Sequence, residues 1–146
     1  MPKAYLTRRY WFAASHRLHC NDFTDDQNRQ TYGKCNNPHG HGHNYALEVT
    51  VSGQVDPTSG MICNLVDIDS HVHSNVIDKF DHENLNCMPE FARLVPTSEN
   101  LAEQIFHILR RGFRTPHLQQ VRLEKVRLEE TMLNSFEYAG GEEIRH

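Results

Sequence analysis

The sequence predicts an α+β fold, an antiparallel sheet carrying two helices on one face, and three observations predict it. Two stretches near the N-terminus alternate apolar and polar residues with period two. Two stretches in the middle repeat apolar residues every three or four positions, and two near the C-terminus alternate again. The order strand, strand, helix, helix, strand, strand suits one antiparallel sheet with the helices gathered on one side. At 146 residues the chain is read as a single domain over 1–146, long enough to bury a real core. No internal repeat or low-complexity segment is evident.

The first strand covers about 6–16, where Tyr10, Phe12, Ala14 and His16 share one face. The second runs from about 44 to 55, with Tyr45, Leu47, Val49 and Val51 interleaved with Ala46, Glu48, Thr50 and Ser52. Gln54-Val55-Asp56-Pro57-Thr58-Ser59-Gly60 then reads as a turn or loop, and Met61-Ile62-Cys63 as a short extension. Leu65, Ile68, Val72, Val76 and Phe80 carry the first helical pattern, with Asn64 as N-cap and Asp67 and Asp69 in its first turn. Pro96-Thr97-Ser98-Glu99-Asn100 announces the second helix, which continues to Gly112. A strand over about 120–130 follows. There Val121 and Leu123 fall on one parity and Val126 and Leu128 on the other, which calls for a bulge or strong twist. Phe136 and Tyr138 mark a last strand over about 135–139.

Composition excludes several function classes. The apolar fraction of 38% with 23% charged residues suits a soluble globular protein. A net charge of −4 provides no basic face for nucleic acid. No segment reads as a signal peptide or a membrane span, so a cytoplasmic location is expected. Cys20, Cys35, Cys63 and Cys87 show neither a zinc-knuckle nor a disulfide spacing. Cys20, Cys63 and Cys87 are read as small buried hydrophobes.

The chemistry begins at His41-Gly42-His43. On an extended chain these imidazoles lie on one side with α-carbons about 6.5–7 Å apart, close enough to converge on one ion. A catalytic zinc takes three protein ligands and keeps one position open. His16, at the end of the first strand's apolar row, is the candidate third ligand. His71 and His73 repeat the spacing in a helical pattern, where i and i+2 diverge, and are read as solvated surface. Glu130 shares the parity of Val126 and Leu128, so it points to the apolar side; Glu129 points the other way, to water. A carboxylate there is a strand-end surface residue, a salt-bridge partner, or one awaiting a cationic or donor-rich ligand. Asp81-His82 places an acid beside an imidazole that it can orient for acid–base work, and Cys35 would complete a base system as a thiolate.

Together these pieces resemble the 6-pyruvoyl-tetrahydropterin synthase family. The matching motifs are Phe12-Ala13-Ala14-Ser15-His16-Arg17-Leu18, the block Gly33-Lys34-Cys35-Asn36-Asn37-Pro38-His39-Gly40-His41-Gly42-His43-Asn44-Tyr45, and Asp56-Pro57-Thr58-Ser59-Gly60-Met61. Asp81-His82-Glu83-Asn84-Leu85-Asn86, Pro96-Thr97-Ser98-Glu99-Asn100 and Glu130-Thr131 follow in family order. The resemblance implies a T-fold: a four-stranded antiparallel sheet with two helices on one face, subunits forming trimeric barrels, and two trimers stacked as a homohexamer with sites at subunit interfaces. It implies a substrate, 7,8-dihydroneopterin triphosphate, and zinc on His16, His41 and His43. It implies Cys35 as general base, His82 oriented by Asp81, and Glu130 with Thr97 and Ser98 at the pterin. The implied product is 6-pyruvoyl-tetrahydropterin, formed with loss of triphosphate and no nicotinamide.

His39 departs from the animal-type pattern and creates a second, shorter spacing to Cys35, typical of the related 6-carboxy-tetrahydropterin synthases, which release acetaldehyde as well. His39 faces the same side as His41 and His43, so periodicity does not choose. Asn44-Tyr45 and the Asn36-Asn37-Pro38 loop match the longer-spaced type and favour His41 and His43. Met132 and Leu133 replace the usual polar turn, with a local effect on that hairpin.

Overall fold

The computed structural model describes residues 2–141. Strand β1 (Lys3–His16) and strand β2 (His41–Gln54) pair antiparallel along their whole length, with Lys3 opposite Gln54 and His16 opposite His41. After β2 comes a helical stretch made of α2 (Leu65–Val72), a π turn (His73–Ile77) and α3 (Asp78–Phe80), preceded earlier by the short helix α1 (Asp25–Tyr32). A two-residue strand β3 (Glu83–Asn84), helix α4 (Ser98–Gly112), β4 (Val121–Thr131) and β5 (Asn134–Tyr138) complete the order. The sheet runs β3-β1-β2-β4-β5, antiparallel except where β3 lies parallel to β1 at Ala14 and Ser15.

The expected α+β arrangement is the observed one, with a fifth strand added. β3 is too short to have a period, so only its tertiary contact with β1 defines it. Helix α1 also escapes hydrophobic patterning because its sequence, DDQNRQTY, has hardly an apolar residue. It is held instead by a capping box, in which Thr24 accepts from the Gln27 amide and Gln27 reaches back to the Thr24 amide. Asn64 and Thr97 cap α2 and α4 as their positions predict. Met61-Ile62-Cys63 does not extend a strand. It is loop, tied by the Asp56 amide donating to the Met61 carbonyl.

One face of the sheet packs against the helices. Tyr10, Phe12 and Ala14 of β1 and Tyr45, Leu47, Val49 and Val51 of β2 are buried there. So are Ile68, Val72, Val76 and Phe80 of the first helical stretch and Leu101, Ile105 and Leu109 of α4. A clamp fastens α2 to β1: the Arg8 guanidinium meets both carboxylate oxygens of Asp69 at 3.1 and 2.6 Å, and the Tyr10 hydroxyl donates to the same group at 2.7 Å. Arg8 holds the Asp69 carboxyl below its ordinary range.

The expected bulge lies in β4. Thr50 stands opposite Lys125 and Val51 opposite Leu123, which leaves Glu124 as the extra residue. Leu123 and Val126 are thereby both turned to the core, although they are three residues apart. The opposite face of the sheet is open, with Tyr5 and Trp11 each 63% exposed. Glu129 points to that face, where it meets Arg9 at 3.7 Å rather than water alone.

One surface and two buried assignments need correction. His71 is half-buried: its Nδ1 accepts from the Asn75 amide at 2.9 Å, so its Nε2–H donates to the Leu109 carbonyl at 2.8 Å. Cys87 is exposed and Cys20 only half-buried, which leaves Cys63 as the buried hydrophobe. The period of a helix locates its apolar stripe but not the polar residue at the stripe's flank that meets a second helix.

The His71 ring fills the space beside Gly112, where an added Cβ would lie 1.8 Å from Cε1. Gly112→Ala is therefore expected to push the ring off the Leu109 carbonyl and cost about 1–3 kcal/mol. A lower urea midpoint at unchanged slope is the readout. Stability equal to the parent's would mean that the ring moves aside freely.

Candidate metal centre and active site

Strand pairing builds the centre. Because His16 is opposite His41 at the joined ends of β1 and β2, the two rings stand side by side on the helix-facing side. His43 follows one step along the same face, and the bulge in β4 turns Glu130 towards them. One ligand atom from each of His16, His41, His43 and Glu130 falls within 4.8 Å of every other. His16 Nε2 is 3.1 Å from His41 Nε2, and Glu130 Oε1 lies 2.9 Å from His43 Nε2 and 3.7 Å from His16 Nε2.

The arrangement fits a zinc-like ion. Tetrahedral bonds of about 2.0–2.1 Å put ligand atoms about 3.3 Å apart, close to the separations found here. His16 is 1% exposed, and its Nδ1 lies 2.7 Å from the Pro96 carbonyl. That carbonyl can only accept, so the proton sits on Nδ1 and the Nε2 lone pair faces the cluster. His43 Nε2 is buried and makes no hydrogen bond, since Glu130 Oε1 is close but not aligned as a partner. A buried imidazole nitrogen without a partner is costly, and an ion accepting its lone pair relieves that cost. The same turn that delivers His41 needs Gly40: its φ is +70°, and a Cβ would sit 3.0 Å from the His16 carbonyl oxygen.

Around the cluster, the Ser98 hydroxyl donates to Glu130 Oε2 at 2.7 Å. Thr97 is engaged otherwise, its hydroxyl capping α4 by accepting from the Asn100 amide. Tyr45 is fully buried below the histidines, its hydroxyl 3.5 Å from His16 Nδ1, and burial raises its ionisation well above the ordinary tyrosine value. Cys35 stands half-buried on a 3-10 turn (Gly33–Asn36), anchored by the Leu18 amide donating to its carbonyl at 2.8 Å. Burial, and then the charge of Glu130, push its thiol up rather than down. His39 is exposed and stands outside the histidine cluster.

Asp81 and His82 lie beside β1 at Ala13, and His82 lines a cavity in common with His43. Asp81 Oδ1 accepts from the Ala13 amide at 2.8 Å, and the His82 amide donates to the Ala13 carbonyl at 2.6 Å. His82 adopts a φ of 62°, and its side chain is 83% exposed. Its Nε2 stands 3.6 Å from Asp81 Oδ2, adjacent but beyond a hydrogen bond. Among the described residues no hydrogen bond links either of them to Cys35.

A family model described as 6-pyruvoyl tetrahydropterin synthase matches residues 5–141. The chain belongs to the 6-pyruvoyl tetrahydropterin synthase family. It is 41% identical to the 6-pyruvoyl tetrahydrobiopterin synthase of Homo sapiens over 139 residues, 94% of this chain and 92% of that one. It is also 41% identical to the enzyme of that name from Drosophila melanogaster over 140 residues, 95% of this chain and 81% of the relative. The solved 6-pyruvoyl tetrahydropterin synthase of Caenorhabditis elegans superposes with a TM-score of 0.88 at 42% identity, covering 97% of this chain and 98% of that one. The synthase fold inferred from the motifs is therefore the fold observed.

Within this synthase fold, sequence reasoning had overlooked three supporting groups. Tyr45 was visible as a core strand residue, but nothing marked its hydroxyl as facing His16. The Pro96 carbonyl belongs to a loop and leaves no side-chain signal. Asn36, 8% exposed, fastens the Cys35 turn by donating to the Leu18 carbonyl at 2.7 Å.

Burial lowers the affinity of both His16 and His43 for protons below the ordinary histidine value of 6.5. The unfolded chain consequently binds more protons than the folded one in that range, and stability rises with pH. The metal-free protein is expected to be at its most stable above about pH 6.5 and to lose stability as the pH falls through that value. Thermal midpoints between pH 5 and 8 test this. A flat profile would mean that the two imidazoles are not held neutral by burial.

Proposed function

We propose that the chain is a zinc-dependent carbon–oxygen lyase that converts 7,8-dihydroneopterin triphosphate to 6-pyruvoyl-tetrahydropterin with loss of triphosphate. The observation that carries this is the convergence of His16, His41, His43 and Glu130 at one end of a sheet whose chain matches the synthase family over residues 5–141. His39, through which the shorter spacing of the 6-carboxy enzymes would run, is outside that cluster.

His16, His41 and His43 would hold the zinc, which would supply Lewis-acid polarisation of the substrate side chain and so acidify its carbon–hydrogen bonds. Glu130, its Oε2 already accepting from Ser98, offers acceptor oxygens to the amino and ring N–H edge of the pterin, a two-donor group that suits a carboxylate. Thr97 and Ser98, where α4 begins beside Glu130, are assigned to the same contact with the pterin. Cys35 removes the side-chain proton, and His82, oriented by Asp81, relays it. Since neither residue bonds to Cys35 within the subunit, this relay is assigned to the joint between copies, consistent with a homohexamer built as a dimer of trimers. Beyond the stretch covered by β3, strand β1 offers an unpaired edge, and β5 is the opposite outer strand of the sheet. No helix of the described residues is long and apolar enough to cross a membrane, and we place the single-domain enzyme in the cytoplasm.

The test is an anaerobic mass-spectrometric product assay on zinc-loaded protein. A 6-pyruvoyl product with free triphosphate is expected; a 6-carboxy product with acetaldehyde would overturn the assignment.

A further inference from the structure

A cavity of about 570 Å³ adjoins the metal cluster, and no step above uses it. One wall is the chain leaving β1, with Arg17 and His19; the other is formed by residues 91–96, with Arg93. The two walls meet at the cluster, because Arg17 follows His16 and the Pro96 carbonyl accepts the His16 Nδ1 proton.

The lining is built to donate. Asn86 clamps the Arg17 backbone from both sides, accepting from its amide at 2.7 Å and donating to its carbonyl at 2.8 Å. Arg17 Nε donates to the Asn36 carbonyl at 3.1 Å, and its two terminal nitrogens have no hydrogen-bond partner among the described residues. Buried Asn36 also donates its Nδ2 to His19 Nδ1 at 3.0 Å, so the His19 proton sits on Nε2 as a donor. Arg93 is exposed and has no carboxylate partner among the described residues. Asp22 is the sole acid in the lining. Three donors, two of them permanently charged, surround a space large enough for a polyphosphate.

We propose that this cavity receives the triphosphate of the substrate, held by Arg17, His19 and Arg93. The inference rests on the reaction assigned above and locates its leaving group. In that elimination the carbon–hydrogen electron pair becomes a carbon–carbon double bond, and the base takes the proton. The carbon–oxygen bond breaks, and its electron pair departs on the triphosphate oxygen. Guanidinium groups match phosphate oxygens in a bidentate fork, and donors already in place where charge develops lower the barrier to departure.

The probes are inorganic triphosphate and phosphate-free 7,8-dihydroneopterin, titrated calorimetrically into zinc-loaded protein and again after zinc removal to separate direct chelation. Arg93→Gln is expected to weaken triphosphate binding about ten-fold or more and to raise KM for the substrate in step, while 7,8-dihydroneopterin binds as in the parent. Lys34→Gln, exposed beside Cys35, serves as the control and should change neither. Unchanged triphosphate affinity in Arg93→Gln, a loss in Lys34→Gln instead, or binding that needs only zinc would overturn the proposal. Arg93-dependent triphosphate binding without turnover of the substrate would sustain the anion site and dismiss the reaction.

Discussion

His41→Ala is expected to lose its metal and its turnover together. Three imidazole nitrogens and one carboxylate oxygen come within 4.8 Å of one another, and removing His41 takes away the nitrogen 3.1 Å from His16 Nε2. Losing an outer-shell partner already costs metal sites about 10–100-fold in affinity, and losing a direct ligand costs more. Zinc content after dialysis should fall from about one ion per chain to near none. His41 is half-exposed at the start of β2, so the fold should survive. His39→Ala makes the contrast, because His39 is exposed and outside the cluster; it should keep both metal and activity. Full zinc occupancy in His41→Ala would mean that other groups hold the ion.

Cys35→Ala should have the opposite signature, with zinc retained and turnover reduced about 100- to 10,000-fold, the usual range for removing a general base. The thiol lies close enough to Glu130 for that charge to push its ionisation up, yet it is not one of the clustered ligands. Its turn is held by backbone and Asn36 contacts that do not involve sulfur, so the variant should fold as the parent does. Comparing zinc content with kcat separates the two roles. Retained activity would leave Cys35 without a place in the chemistry.

Most of the sheet and the cluster was legible because strand periodicity fixes faces. His16, His41, His43 and Glu130 could be placed on one side by counting residues, once the change of parity in β4 was read as a bulge. Caps located α2 and α4 for the same local reason. What stayed hidden depends on contacts distant in the chain. β3 exists because Glu83 and Asn84 happen to lie beside Ala14 and Ser15. His71 is half-buried because α4 brings the Leu109 carbonyl to it, and Cys87 is exposed because its short 3-10 turn buries Leu85 instead. That neither Asp81 nor His82 bonds to Cys35 among the described residues was equally invisible, since the motif places them in order but not in space.

The unpaired Glu124 has a consequence for how the strand tolerates changes of length. After it the side chains alternate, each committed to its own face, and losing a single residue between it and the hairpin would exchange the two faces. The neighbouring acids Glu129 and Glu130 make that error hard to see at the centre, because a carboxylate would still arrive beside the histidines. What would betray the slip is oiliness: Val126 and Leu128, now fully covered, would be displayed on the open face beside Trp11. A shortened strand would thus announce itself by stickiness and clumping before any loss of metal. Viable changes of length here should come in twos.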